Sequence, residues 1–211
     1  MRCCPVKKFI TVLAVSIFML FLLVGYSTSV NSNLSSNMVR LHVIANSDSE
    51  EDQALKLKVR DAILSHSRSN FTKKDEVKDE LESYKEIAKE VISENGYNYD
   101  VEVEYGNFKF PTKEYNNLRL PAGNYDAVRV KIGTAKGQNW WCVMFPPLCF
   151  VDGTTDTKYA EEKLRASLSD ESARLITSKA DDSMMPFEIK FKIVEVYGKL
   201  SGRSKVYAKA D

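Results

Sequence analysis

The sequence lacks a charge excess of either sign. Its 211 residues contain 30 Lys and Arg against 29 Asp and Glu, a formal net charge of +1. Arg2, Lys7 and Lys8 precede a long apolar run, which leaves 27 basic and 29 acidic residues in the remainder. Proteins that neutralise nucleic-acid phosphates need a basic surface. The charge balance therefore gives no support for nucleic-acid binding.

Familiar catalytic signatures are also missing. The chain has no H-E-x-x-H, G-x-S-x-G, C-x-x-C or Walker phosphate loop. Gly133 and Gly137 bound a short loop without the Lys-Ser/Thr of a phosphate site. The acidic cluster at residues 48–52 is better explained by a helix start capped by Ser49 than by a calcium site. We therefore expect no enzymatic activity, no cofactor and no metal.

Cysteine is scarce, and its placement is informative. Cys3 and Cys4 precede the apolar run, so Cys142 and Cys149 are the pair in the rest of the chain. A cysteine pair in an exported protein favours a disulfide, and residues 146–147, both proline, can reverse the chain between them. Two reduced, buried cysteines are the alternative.

A thiol enzyme is the rival interpretation from another functional class. His42 could activate Cys142 as a nucleophile, with Asp152 orienting the imidazole. A disulfide-bonded Cys142 could not act in this way.

One long apolar run is present, from Phe9 to Val24. Basic residues precede it and small polar residues follow it, which is the order of a secretory signal. Small residues at positions 27–29 make cleavage after Ser29 a candidate. An uncleaved anchor that contacts the membrane through residues 9–29 and a buried core helix stay open. In both membrane cases the rest of the chain lies outside the cytoplasm.

The pattern of polar and apolar residues divides the chain into four parts. Residues 1–29 are the signal or anchor, and residues 30–37 are small, polar and typical of a linker. Residues 38–200 form the predicted domain, and residues 201–211 are a polar tail that we expect to fray.

Hydrophobic periodicity within the domain predicts an α+β fold. We expect a largely antiparallel sheet with helices packed on one of its faces. The strands at 124–133 and 139–145 are expected to form a hairpin across a Gly-bounded loop. Residues 187–200 fit either a strand or a helix. The predicted strands are 38–45, 98–105, 124–133 and 139–145, and the predicted helices are 50–68, 73–94 and 157–179, the last with a kink or break at Ser169-Asp170.

Four aromatic residues surround the cysteine loop: Trp140, Trp141, Phe145 and Phe150. Strand alternation places Trp140 on one face and Trp141 with Phe145 on the other. Only one of those faces needs to be core, so an exposed tryptophan suits a partner contact. A purely structural role in the core is the alternative.

Two longer stretches resemble a known family. Residues 40–61 (RLHVIANSDSEEDQALKLKVRD) and residues 137–152 (GQNWWCVMFPPLCFVD) are similar to the opening and the central signature of stage II sporulation protein R. Shorter similarities occur at residues 105–113 and 120–123. The resemblance covers about residues 38–180.

The resemblance implies a signalling role. Members of this family are made in the forespore and exported toward the space between forespore and mother cell. There they activate a membrane-bound aspartic-type protease, which processes a sporulation sigma factor precursor. The resemblance therefore implies a ligand whose partner is the catalyst. Our own hypothesis is that the loop from Trp140 to Phe150 makes the contact.

Overall fold

A computed structural model of the chain describes residues 5–70, 74–115, 118–146, 148, 162, 165–177, 187–200 and 205–210. Helix α1 (Pro5–Asn37) comes first and is 33 residues long. The first half of the domain contains β1 (Val39–Ile44), α2 (Glu50–Asn70), a 3₁₀ helix (Lys74–Glu80) and α3 (Leu81–Glu94). The elements described after these are β2 (Val101–Phe110), β3 (Lys113–Tyr115), β4 (Leu118–Leu120), β5 (Gly123–Ile132), β6 (Asn139–Phe145), α4 (Asp170–Ile176), α5 (Phe187–Leu200) and β7 (Lys205–Lys209).

The described strands form one mixed sheet and a separate short hairpin. The sheet has five strands in the order β6-β1-β5-β2-β7, and β3 pairs with β4. The β1–β5 pair is parallel, and the other neighbours in the sheet are antiparallel. The predicted α+β class and the four predicted strands are therefore confirmed. β2 continues to Phe110, further than expected, because Pro111 rather than Gly106 ends it.

Helices α2 and α3 cover the first face of the sheet. Leu55, Val59 and Ile63 lie one or two turns apart on α2, which gives that helix a single apolar stripe. Tyr84, Ala88 and Ile92 do the same on α3. Both stripes are buried against the apolar residues of the central strands, which include Leu41, Val43, Val103 and Val130.

A second set of helices covers part of the opposite face, so the prediction of helices on one face was incomplete. Leu34 near the end of α1 and Met38, directly after it, pack there with Leu175 of α4 and Val194 of α5. Their partners on the sheet and the β3–β4 hairpin include Phe108, Phe110, Leu120, Tyr125 and Ala127.

The predicted hairpin between residues 124–133 and 139–145 was wrong. Both strands exist, but β1 lies between them in the sheet. The connecting loop crosses the end of β1, where the Gly137 N–H donates to the Ala45 carbonyl at 2.9 Å. A Cβ on Gly137 would lie 2.1 Å from the Ser47 carbonyl oxygen, so only glycine fits this crossing. The glycines that suggested a hairpin turn serve a contact with β1 instead.

Residues 30–37 are not the predicted linker but the last two turns of α1. Leu34 is fully buried and Val30 is 3% exposed. The Asn33 side-chain oxygen accepts from the Ser169 N–H at 3.1 Å, and Lys74 donates to the carbonyls of Ser35 and Ser36 at 3.1 and 2.8 Å. Tertiary contacts of this kind override the weak helix propensity of a Ser- and Asn-rich segment.

The C-terminal elements resolve two open questions. Residues 187–200 form the helix α5, and part of the tail expected to fray pairs with β2 as strand β7. The break predicted at Ser169-Asp170 is confirmed, because Ser169 accepts from the Ser172 N–H and caps α4. The part of the predicted helix 157–179 outside residues 162 and 165–177 lies outside the described residues.

Candidate functional site

The two tryptophans lie at the start of β6, on opposite faces of the sheet as predicted. Trp140 faces the side covered by α2, and the Arg60 guanidinium lies over its ring at 4.3 Å from the centroid. Trp141 faces the other side and stacks on His42, with ring centroids 3.8 Å apart. Both tryptophans are half-buried. Each therefore combines a packing role with an accessible edge.

Strand alternation predicted that Phe145 shares the face of Trp141, and this was wrong. It packs with the core beneath α2 and α3, together with Trp140. The β1–β6 register shifts at this point, so that Val39 is opposite Phe145 but Arg40 is opposite Val143. A bulge of this kind inserts one residue and reverses the facing of those beyond it. The sequence contains no signal for it.

The described residues do not test the predicted disulfide. Cys142 is fully buried. Cys149 and Phe150 lie outside the described residues. The Cys142–Cys149 pairing and the contact role of Phe150 therefore stay predictions.

His42 and Cys142 are not arranged as a catalytic pair. In the β1–β6 register His42 is opposite Trp141, and Leu41 is opposite Cys142. Because side chains alternate along a strand, the imidazole and the sulfur project from opposite faces of the sheet. The proposed imidazole–thiol contact does not form between these residues, and Asp152 lies outside the described residues.

His42 is held in its neutral form. It is 6% exposed, and its Nε2 lies 2.7 Å from the Asn139 side-chain oxygen. Burial lowers the pKa of His42 to about 4, and the nearby guanidinium groups of Arg129 and Arg40 act in the same direction. The contact with Asn139 and the Glu104 carboxylate oppose the shift without cancelling it.

Arg40 is a buried cation beside β6. Its side chain is fully buried, and the guanidinium lies 4.2 Å from the ring centroid of Phe110 and 4.9 Å from that of Tyr125. Its Nη2 donates to the Tyr115 hydroxyl at 2.9 Å and its Nε to the Cys142 carbonyl at 3.3 Å, whereas Nη1 has no acceptor. No described carboxylate pairs with it, so aromatic faces and dipoles carry its stabilisation.

A groove of about 450 Å³ runs along the outer edge of β6. We call it the β6 groove. It lies between α2 and the β3–β4 hairpin, and its lining is mainly polar and aromatic. The residues that line it are Gln53, Lys56, Leu57, Lys113, Glu114, Tyr115, Gln138, Asn139, Trp140 and Trp141.

Sequence reasoning found the two tryptophans of this groove but missed its cations and Tyr115. Lys56 is 5% exposed and donates to the Gln138 carbonyl at 3.1 Å. Lys56 and Arg60 are four residues apart on one face of α2, a signal that the sequence does contain. Tyr115 lies 26 residues from Trp141 along the chain, so no local pattern predicts its position.

The matches to known proteins include the two segments, residues 40–61 and 137–152, that carry the resemblance. A family model described as stage II sporulation protein R matches residues 35–155, more than half of the chain. The chain belongs to this family. The stage II sporulation protein R of Bacillus subtilis (strain 168) is 32% identical over an alignment of 175 residues, and the match covers 74% of this chain and 78% of the relative. No solved structure matches.

The family match covers the sheet as far as β6 and the whole β6 groove. It starts within the last turn of α1 and ends before α4. Helix α1 is also long and apolar enough to cross a membrane, with large exposed side chains from Phe9 to Val24. The match to stage II sporulation protein R thus includes the part of the chain that carries the candidate site.

Proposed function

We propose that this protein is a sporulation signal exported from the forespore and that it acts as a ligand rather than as an enzyme. Its target is a membrane-bound aspartic-type protease, which then processes a sporulation sigma factor precursor. Membership of the stage II sporulation protein R family is the observation that carries this proposal. The apolar half of α1 supports delivery across the cytoplasmic membrane.

The surface that we assign to the contact is the β6 groove with its two tryptophans. Aromatic side chains supply much of the energy of protein interfaces, above all where they are partly buried and held in one orientation. Arg60 holds Trp140 in place, and His42 holds Trp141. A rigid surface of this kind can favour the active arrangement of a receptor by binding that arrangement more tightly.

Co-expression in a non-sporulating host tests the proposed function. The host would make this chain, a candidate membrane protease and its sigma precursor, and precursor cleavage would be followed by immunoblot. We expect cleavage that requires both this chain and the protease. Cleavage that is independent of this chain, or its absence when all three are present, would overturn the proposal.

Substitution of Trp140 tests the assigned surface. Trp140→Ala removes the aromatic edge from the groove, and we expect precursor cleavage to fall about tenfold or more, as for an interface hot spot. Tyr207→Ala is the matched control, because Tyr207 is 59% exposed on β7 at the opposite edge of the sheet. Circular dichroism and export would be checked for both variants. Equal cleavage by both would remove the groove from the contact.

A further inference from the structure

Within the described part of the chain, no strand covers the outer edge of β6 beside the β6 groove. Among the described strands, β6 pairs only with β1, so its other edge has no strand partner. Asn139 at the start of β6 is exposed, whereas Cys142, Val143 and Met144 are buried. The open part of the edge is therefore its first three residues, where the groove lies.

The hydrogen bonds show which backbone groups face the groove. The Trp141 carbonyl accepts from the Tyr115 hydroxyl at 2.7 Å, and both residues line the groove. The N–H and C=O of one strand residue point to the same side, and that side alternates along the strand. The backbone groups of Asn139 therefore face outward as well, and an edge of this kind is a template for an added strand.

Positive charge is concentrated around this edge. The ammonium of Lys56 donates to the carbonyl of Gln138, just before β6, and the buried guanidinium of Arg40 donates to that of Cys142. Neither pairs with a described carboxylate. Lys113 adds a third cation on the hairpin side. Glu114, the acidic residue of the lining, is already paired with Arg119 at 3.0 Å.

We propose that an extended, acidic segment of the partner protein binds in the β6 groove by adding a strand to the start of β6. Backbone hydrogen bonds to Asn139 and to the Trp141 N–H would hold the segment, beside the Tyr115 hydroxyl that donates to the Trp141 carbonyl. Its carboxylates would pair with Lys113 and with the ammonium of Lys56, which both line the groove. The inference rests on the proposed function, since the partner is the protease named there.

A proline at position 139 tests the backbone contact in the co-expression assay. Asn139→Pro removes an N–H from the outer edge, where proline is tolerated because β1 does not use that group. Asn139→Ala is the matched control, since it also removes the side-chain contact with His42 but keeps the N–H. We expect precursor cleavage to be about tenfold lower for the proline variant than for the alanine variant.

A charge reversal tests the acidic character of the segment and does not disturb the strand. We expect Lys113→Glu to reduce precursor cleavage about tenfold relative to Lys89→Glu. Lys89 is exposed on α3, which packs over β2, three strands away from β6. Melting temperatures of all four variants would confirm that they are folded.

A photo-crosslinker at position 113 identifies the segment directly. We expect a crosslink to an acidic extracytoplasmic stretch of the protease, and none from position 89. Equal cleavage by the proline and alanine variants, or by the two lysine variants, would overturn strand addition or the acidic segment respectively. If the unaltered chain triggers no cleavage, the proposed function itself fails, so the two failures are distinguishable.

Discussion

His42 is the residue whose chemistry depends most on the fold. The sequence places it in the middle of a strand and leaves a catalytic role open. Its neighbours Trp141, Asn139 and Arg129 come from two other strands, so no local pattern reveals that the imidazole is buried and neutral. Residue type alone therefore left a catalytic pair of His42 and Cys142 open, and the strand register shows that the two side chains lie on opposite faces of the sheet.

The neutral state of His42 predicts a dependence of stability on pH. Its pKa is about 4 in the folded chain and about 6.5 in the unfolded chain, so between these values only the unfolded chain takes up the proton. Stability should therefore fall as the pH drops from about 6.5 to about 4, by at most about 3 kcal/mol from this residue.

Denaturant unfolding at several pH values would measure the effect in the full chain and in His42→Gln. The other titratable groups are present in both proteins. The difference between the two curves thus isolates the histidine. Parallel curves for the two proteins would contradict a buried, neutral His42.

Helix α1 shows the limit of prediction at the scale of an element. The apolar run up to Val24 was recognised, but the segment that follows is rich in serine and asparagine, which favour turns and caps over helix interiors. The contacts that make it helical come from distant residues, including Ser169, Lys74 and Val194. Residue pattern predicted β1, β2, β5 and β6 but missed β3, β4 and β7. The strand partners depended on the crossing at Gly137.

Truncation of Leu34 tests whether these turns belong to the domain. Leu34 is fully buried among residues of the second core, so Leu34→Ala should lower the free energy of unfolding by about 2–5 kcal/mol. Ser32→Ala, on the exposed side of the same turn, should change it by less than about 0.5 kcal/mol. Similar unfolding of both variants would restore the linker interpretation.

At the scale of the whole molecule, α1 and α5 lie side by side where the apolar run meets the domain. They enclose an apolar groove of about 580 Å³ that extends from Leu20 and Ser27 on α1 to Lys192 and Leu200 on α5. Leu200 is 82% exposed and Val196 is 52% exposed. In a chain that keeps α1 in the bilayer, the end of α5 therefore lies level with the edge of the apolar run.

This arrangement predicts that α5 touches lipid whenever α1 is inserted. An environment-sensitive fluorophore at position 200 of the full chain in lipid nanodiscs should shift to the blue and be quenched by spin-labelled lipids. The same fluorophore at the exposed position 90 on α3 should do neither. Indistinguishable spectra at the two positions would place α5 away from the bilayer.

The unbroken course of α1 also sets a distance. Ten residues of continuous helix separate Val24 from Leu34, which places them about 15 Å apart along the axis at about 1.5 Å per residue. A copy anchored by α1 would hold the β6 groove at one height above the membrane and at one tilt. Only a partner that reaches that height could bind it. A copy cleaved after Ser29 would not be held at this height and would diffuse. Cleavage of that single peptide bond would therefore decide whether the protein signals only close to its membrane or also at a distance.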